Sequence, residues 1–439
     1  MRSNISEPRH LERAYLADWT PSRGPGAAIK PASRASAVPD EDAMRELAEL
    51  AASAGAEVAG FTGQRSPAPD PATLVGRGKV EEIRASAERL RATCVIFGHD
   101  LSPTQLRNLE AALGVKVIDR TQLILDIFAR RARTREGKLQ VELAQLNYLL
   151  PRLAGQGTRL SRLGGGIGTR GPGEQKLEFD RRRIRARISK LEGALDKVRA
   201  QRSLHRRHRR EQNFLSVALV GYTNAGKSTL FNALTQAKIL ESPRLFATLD
   251  PTVRALSLES HPKTLLSDTV GFIRNLPAHL VVAFRATLEE LDSADLLLHV
   301  VDASHPEWAE HCEAVDKTLE SMGLAAAPRL RVWNKVDLLV EAARRRIPPD
   351  DVAVSARTGE GIAALLERID HLLPGEPVIE AEFNFSAADG ESLARLHRMG
   401  AVLSTRFVGR RVLVRARVPE SLRIRGQTRG SPLDRGISS

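Results

Sequence analysis

Apolar positions along the chain repeat with several different periods, and each change of period marks a boundary. Between residues 40 and 137, Met44, Leu47 and Leu50 step along one helical face, AEVAGF from Ala56 to Phe61 reads as a strand, and a helix follows Gly78. The apolar run CVIFG from Cys94, a helix from Ser102 to Leu113, the strand VKVID from Val115 and a helix after Arg120 continue the alternation. Such an order predicts a small parallel-sheet domain. Residues 1–39 carry Gly24, Pro25, Gly26 and scattered Ala, Ser and Pro with no sustained period, so an extension largely without packed structure is expected there.

Residues 138–212 follow another rule. Leu139, Leu143, Leu146, Leu150 and Leu153 step by four and three, and so do Ile184, Ile188, Leu191, Leu195 and Val198. Two apolar seams separated by a glycine-rich loop, Gly155 to Gly173, predict an antiparallel helical hairpin that ends in the basic run Arg202 to Arg210. Strands and helices alternate again over 213–374, up to Pro374 and Gly375. In the tail, 375–439, Val378 to Phe385 and Arg411 to Val418 alternate like strands around a helix from Gly390 to Leu403, and the residues from Gly426 on have no pattern.

The 439 residues carry a net charge of +13, with a pI near 10.2. Lys and Arg attract polyanions by releasing condensed counterions, so nucleic acid is the natural partner, with an anionic membrane surface as the alternative. The basic run from Arg181 to Arg210 lacks the Trp anchors of an interfacial helix, which weighs against the membrane. Aromatic residues are 4%, too few for base stacking to dominate, and phosphate contact fits better. No run of about 18 apolar residues occurs, and the polar start MRSNISEPRH lacks a signal-peptide core, so a cytoplasmic protein is expected. Cys94 and Cys312, far apart, fit neither a disulfide framework nor a zinc site and read as packing residues.

The chemistry is concentrated in 213–374. Gly221, Tyr222, Thr223, Asn224, Ala225, Gly226, Lys227 and Ser228 match the P-loop pattern after the strand Ser216 to Val220, with Thr229 continuing into a helix. The glycines let backbone amides converge on phosphates, Lys227 brings a point charge to the β- and γ-phosphates, and the Ser228 hydroxyl suits Mg2+. Asp268, Thr269, Val270 and Gly271 end a later strand, where the carboxylate can hold the metal through water and the glycine amide can meet the γ-phosphate. Between them lie Phe246, Ala247, Thr248, Leu249 and Asp250; Thr248 either completes the metal shell or stands before a plain turn at Asp250–Pro251. Asn334, Lys335, Val336 and Asp337 follow the strand RLRVW, and a carboxylate at Asp337 accepts from guanine N1–H and the 2-amino group, donors that adenine lacks. Ser355, Ala356 and Arg357 follow a further strand, where the backbone can contact the guanine oxygen. Five elements in this order specify GTP binding and hydrolysis, with Lys227, Thr248 and Gly271 as the catalytic candidates and Ser228 and Thr248 as the metal ligands. After Gly271, many GTPases carry a glutamine that orients the attacking water; here Phe272 cannot, and slow intrinsic hydrolysis is expected.

The predicted fold class is α/β: a P-loop GTPase domain with a mixed, mostly parallel sheet and helices on both faces, preceded by a small α/β domain with a helical hairpin and followed by a small α+β domain. VGRGKVEEI, LSPTQLRNLE, DRTQLILDIFARRARTREGKLQVELAQL, LGGGIGTRGPGE, FATLDPT and DTVGFIRNLPAHLVVAFRATLEE then carry a wider likeness. Through them the chain resembles the HflX family of translational GTPases from about Val58 to the tail. The resemblance implies GTP/GDP and Mg2+ as ligands, phosphate binding at Gly221 to Ser228, magnesium at Ser228 and Thr248, and guanine at Asn334 and Asp337. As partner it implies the large ribosomal subunit and its RNA, not DNA, with splitting or rescue of stalled or idle ribosomes. A GTP-gated RNA remodeller or assembly chaperone is the rival reading, and ATP-dependent unwinding has been attributed to the family. Gly76-Arg77-Gly78-Lys79 is then either a second phosphate site or a tight turn before a helix. Asn224 matches the asparagine that coordinates K+ in some related GTPases lacking the glutamine, or it braces its loop. The hairpin loop, with Arg159, Arg162 and Arg170, either reaches into RNA or merely connects two helices. A monomer is the default.

Overall fold

The computed structural model describes residues 12–22, 41–153, 172–211, 214–236, 245–246, 251–261, 264–274, 277, 290–374 and 378–419. Contacts divide the chain into two compact units, the first Met1–Val198 with Ser242–Asp250 and Asn275–Thr287, the second Arg199–Glu241, Pro251–Arg274 and Leu288–Ser439.

In the first unit, β1 (Arg13–Pro21), β2 (Glu57–Ser66), β3 (Cys94–Phe97) and β4 (Lys116–Ile118) form an all-parallel sheet of order β2-β1-β3-β4. Helices α1 (Glu41–Ser53), α2 (Arg77–Arg89) and α3 (Pro103–Leu113) make the crossovers, and α4 (Arg120–Arg131) follows the last strand. The parallel-sheet expectation holds, but the N-terminal one needs correction: β1 comes from the stretch expected to lack packed structure, and it is an interior strand. The reason is burial on both faces. Ala14, Tyr15, Leu16 and Ala17 are all buried, so no polar alternation betrays the strand, and only pairing with β2 and β3 shows what the run is for. Local signals elsewhere act as expected: Ser102 and Gln105 form a reciprocal capping box on α3, and Gly114 ends it in the left-handed region.

Gly76 precedes α2 at φ −64°, its N–H donating to Gln64 Oε1, while Lys79 Nζ pairs with Glu82 at 2.6 Å. The turn reading of Gly76–Lys79 is therefore favoured over a phosphate cradle.

Helices α5 (Arg135–Arg152) and α6 (Pro172–Glu211) are the two arms of the predicted hairpin, and the Arg187 guanidinium donates to both oxygens of Glu142 at 2.7 and 2.8 Å. Leu191 and Leu195 of the second seam are buried as expected. On α5 the buried face is offset from the leucine row and runs through Glu136, Gln140, Val141, Ala144 and Tyr148, because that face also serves the remainder of the first unit. The loop beyond residue 153, with Arg159, Arg162 and Arg170, lies outside the described residues.

The second unit holds a six-stranded sheet of order β10-β9-β8-β5-β7-β6. Its strands are β5 (Leu215–Gly221), β6 (Thr252–Leu256), β7 (Thr264–Asp268), β8 (Leu296–Asp302), β9 (Arg329–Asn334) and β10 (Val352–Ala353), with only the β6–β7 pair antiparallel. Helices α7 (Lys227–Thr235), α8 (Trp308–Ser321) and α9 (Ile362–Leu372) follow β5, β8 and β10. A core of Val217, Leu219, Leu230, Phe231, Leu298 and Val332 holds the strands in register. The mixed, mostly parallel sheet is thus as predicted. In the tail, β11 (Val378–Ser386), β12 (Ala401–Val408) and β13 (Arg411–Pro419) make an antiparallel sheet of order β11-β13-β12 beside α10 (Gly390–Met399). The helix expected to run to Leu403 stops at Met399, since Ala401–Val408 gains a ladder to β13 that no local signal announces. Among the described residues no helix is long and apolar enough to cross a membrane. Cys94 and Cys312 are both buried and unbridged, in keeping with packing roles.

Asp119 shows how a polar side chain organises the first unit. Fully buried at the N-cap of α4, it accepts from the N–H of Gln122 at 2.8 Å, from that of Leu101 at 3.2 Å and from Arg152 Nη2 of α5 at 3.0 Å. Replacing it by alanine removes a helix cap and leaves the part-buried Arg152 without its carboxylate. Asp119→Ala should lower unfolding free energy by about 3 kcal/mol, measured as a reduced urea midpoint of the full chain; an unchanged midpoint would show that the cap and ion pair are marginal.

Candidate functional site

The site forms at the carboxyl end of β5, where the chain must turn sharply enough to aim backbone amides at a phosphate. Asn224 and Gly226 sit in the left-handed region, at φ +62° and +88°, and a Cβ on Gly226 would lie 2.2 Å from Asn334 Nδ2. Only glycine allows that approach. Lys227 then opens α7 and folds back over its own loop, Nζ donating to the carbonyls of Gly221 at 3.0 Å and Tyr222 at 2.7 Å. It is 7% exposed, and burial pulls its ammonium down to about 8, with the Asp268 charge opposing.

Ser228 Oγ donates to Asp268 Oδ2 at 2.7 Å, so the P-loop hydroxyl and the D-x-x-G carboxylate, 40 residues apart, meet directly. A hydroxyl beside a carboxylate is the hard-oxygen donor set that suits Mg2+. Gly271 lies against Lys227: a Cβ there would meet Nζ at 2.8 Å and the Thr223 Cα at 2.9 Å. The two loops are also stitched by backbone bonds, Thr223 N–H to Phe272 O at 2.7 Å and Phe272 N–H to Gly221 O at 3.1 Å. Thr269 Oγ1 donates to Leu219 O at 2.6 Å, and Val270 is buried beside it. Phe272 is 1% exposed, so its ring fills the core and has nothing to offer an attacking water.

Asn334 joins the phosphate and base regions. Its Nδ2 donates to Ala225 O at 2.9 Å and its Oδ1 accepts from the Ala356 N–H at 3.0 Å, both deep in the protein. Lys335, at φ +64°, turns the chain and pairs through Nζ with Asp302 Oδ2 at 2.6 Å, and Val336 is buried. Asp337 is oriented from both oxygens, Oδ1 accepting from the Ser355 hydroxyl at 2.7 Å and Oδ2 pairing with Arg357 at 3.0 Å. Ser355 is fully buried and rigid; the Arg357 side chain is 77% exposed and can yield its place to a base.

The structure thus brings together Gly221 to Thr229, Asp268 to Gly271, Asn334 to Asp337 and Ser355 to Arg357. Phe246 is placed differently: its ring meets Phe128 edge-on at 4.7 Å within the first unit and is buried there, a packing role. Ala247, Thr248, Leu249 and Asp250 lie outside the described residues. Sequence reasoning missed Asp302, which neutralises Lys335, and a second group around Tyr222. Its hydroxyl accepts from the Arg274 N–H at 2.9 Å, its ring stacks on His311 at 3.8 Å, and Arg274 pairs with Glu307. Asp302 ends β8 beside Asn334 of β9, a pairing that the folded sheet reveals; in the Tyr222 group only Glu307 and His311 are near in sequence, while Tyr222 and Arg274 come from separate loops.

Residues 41–129 match a family described as GTP-binding GTPase N-terminal, residues 131–209 one described as GTP-binding GTPase Middle Region, and residues 216–335 one described as 50S ribosome-binding GTPase. The GTPase HflX of Caldanaerobacter subterraneus subsp. tengcongensis is 49% identical over 86% of this chain and 88% of its own. That of Alkalihalophilus pseudofirmus is 51% identical over 76% of this chain and 79% of its own. Among solved structures, a GTP-binding protein from Sulfolobus solfataricus in complex with GDP is 25% identical with a TM-score of 0.41, covering 82% of this chain and 98% of that one.

Two outcomes follow from the site. Asp337→Asn puts an amide donor where guanine's own donors point, so GTP affinity should fall at least about tenfold while affinity for xanthosine triphosphate rises; equal GTP affinity in mutant and parent, by calorimetric titration, would remove Asp337 from base reading. Lys227 has a depressed pKa in the free protein, and a bound triphosphate raises it, so binding takes up a proton above that pKa. GTP affinity should therefore be level below about pH 8 and fall by up to about tenfold per unit above it. A pH-independent affinity between 7 and 9 would contradict the assignment.

Proposed function

The chain belongs to the HflX family of GTPases, a P-loop protein that binds guanine nucleotide and hydrolyses GTP, and on that premise we propose that the large ribosomal subunit is the partner that triggers hydrolysis. The observation that carries the reading is the buried Phe272. With no hydrogen-bonding side chain directly after Gly271, the free protein lacks a group to orient water at that position, which supports an outside surface, rather than another element of the switch, as what completes the site. The hydrolytic step is attack of water on the γ-phosphorus, giving GDP and phosphate. Lys227 contributes its charge at the β- and γ-phosphate oxygens and the Gly271 N–H meets the γ-phosphate, while Asp337 and Asn334 hold the base end. Mg2+, held by Ser228 with Asp268 behind it and by Thr248, would supply charge neutralisation at the same oxygens.

Asn224 adds a refinement. It is exposed at the tip of the P-loop, and among the described residues its side chain makes no hydrogen bond, which favours a ligand role over a bracing one. A K+ ion held there would supply positive charge that offsets the charge developing in the transition state. Hydrolysis measured with ribosomes should be several-fold faster in K+ than in Na+; identical rates would sink the ion's role.

The hairpin supports ribosomal RNA as the surface contacted. The Arg187–Glu142 pair joins the two arms, and the sequence between them carries Arg159, Arg162 and Arg170, cations suited to phosphate contact. Splitting or rescue of stalled or idle ribosomes is the activity this fits best, in a cytoplasmic protein that is a monomer off the ribosome. Replacing residues 155–171 by a short neutral turn should leave GTP affinity and basal hydrolysis unchanged and abolish ribosome-stimulated hydrolysis and subunit separation. A loop-replaced protein that splits ribosomes at the parental rate would refute this reading. One that binds free RNA but gains no stimulation from ribosomes at any stage would favour the rival RNA remodeller.

A further inference from the structure

We propose that His305, Glu307 and His311 bind one divalent ion of the zinc class, at a site other than that of the magnesium expected with the nucleotide. The ligating atoms of these three side chains all lie within 4.8 Å of one another, although the residues come from the loop after β8 and the first turn of α8. Ligands at that mutual separation can close on a common centre with small side-chain rotations, since zinc–nitrogen and zinc–oxygen bonds are each about 2 Å.

The local structure already aligns them. Glu307 and His311 are four residues apart at the start of α8 and share one helical face. The His311 ring is pinned flat against Tyr222, centroids 3.8 Å apart and planes 4° from parallel, while the His305 ring lies 4.4 Å away on the same imidazole. His305 Nδ1 offers a lone pair, as the Glu307 N–H that it accepts at 3.2 Å shows, and coordination exchanges that long bond for a metal. Arg274 pairs with Glu307 through Oε2, and coordination through the second carboxylate oxygen is compatible with this pair. An arginine that orients a ligating carboxylate is a common outer-shell arrangement in metal sites.

The donor set selects the ion. Two imidazoles and one carboxylate, with water in a fourth position, suit Zn2+ or Co2+ and disfavour Mg2+ and Ca2+, which take oxygen. Occupancy would tie the start of α8 to the segment after Gly271, because Arg274 follows that glycine by three residues and donates its N–H to Tyr222 Oη. The ion is thus a brace on the phosphate-sensing side of the G domain.

Titration of the full chain, loaded with GDP and Mg2+, with Co2+ and with Zn2+ tests this. The parent should bind one equivalent with visible d–d absorption of a four-coordinate Co2+ site, displaced by Zn2+. His305→Gln and Glu307→Gln, made separately because His311 also packs on Tyr222, should each weaken Zn2+ binding at least about tenfold while GDP affinity stays within twofold. His311→Gln should remove the absorption band. Absence of a d–d band in the parent, or Zn2+ affinity unaltered in both His305→Gln and Glu307→Gln, overturns the proposal.

Discussion

The second unit depends on the burial of one ammonium. Lys227 is 7% exposed and is held by two carbonyls of its own loop, and a buried charge is tolerated only where fixed dipoles and an opposite charge surround it. That requirement shapes everything near it. The loop must curl tightly enough for the Gly221 and Tyr222 carbonyls to face back, Asp268 must end β7 within electrostatic reach, and Gly271 must lack a side chain, because a Cβ would stand 2.8 Å from Nζ. The free protein stores a charge that is poorly solvated, and a triphosphate solvates it better than the backbone does.

Strand order passes that event to the rest of the unit. β5 lies between β7 and β8, so the phosphate loop, the D-x-x-G segment and the loop after β8 all emerge at the same sheet edge. Backbone bonds between Thr223 and Phe272 and between Phe272 and Gly221 couple the first two, and the Arg274–Glu307 pair couples the second and third. Asn334 carries the connection to the base side, with one amide satisfying Ala225 and Ala356 together. The buried phenyl ring of Phe272 packs into this network where many GTPases carry a hydrogen-bonding glutamine.

The first unit obeys a similar economy of buried polar groups. Asp119 caps α4 while anchoring Leu101 and Arg152, and Arg120 pairs with Glu46 in a nearly dry setting. These contacts seat α4 and α5 against the sheet, and the α5–α6 hairpin extends from that base.

Much of the site was legible because its geometry is local. The turn from β5 into α7, the glycines at 221 and 226, and the Asn334 to Asp337 run each need particular residues at fixed spacing, and a fixed spacing survives in one dimension. The apolar periods likewise determined the parallel sheet of the first unit, the helical hairpin and the mixed sheet of the second. Tertiary structure alone decided what depends on pairing across distance. β1 is buried on both faces and pairs with strands 44 to 45 and 80 residues away, so Ala14 to Ala17 show no alternation, and β12 exists only because β13 offers it a ladder. The offset of the buried face on α5, the packing of Phe246 on Phe128, and the meeting of Tyr222 and Arg274 with the segment His305 to His311 are likewise invisible along the chain. Periodicity records which face of an element is buried; it carries no information about which other element buries it, and that is a property of the packed fold.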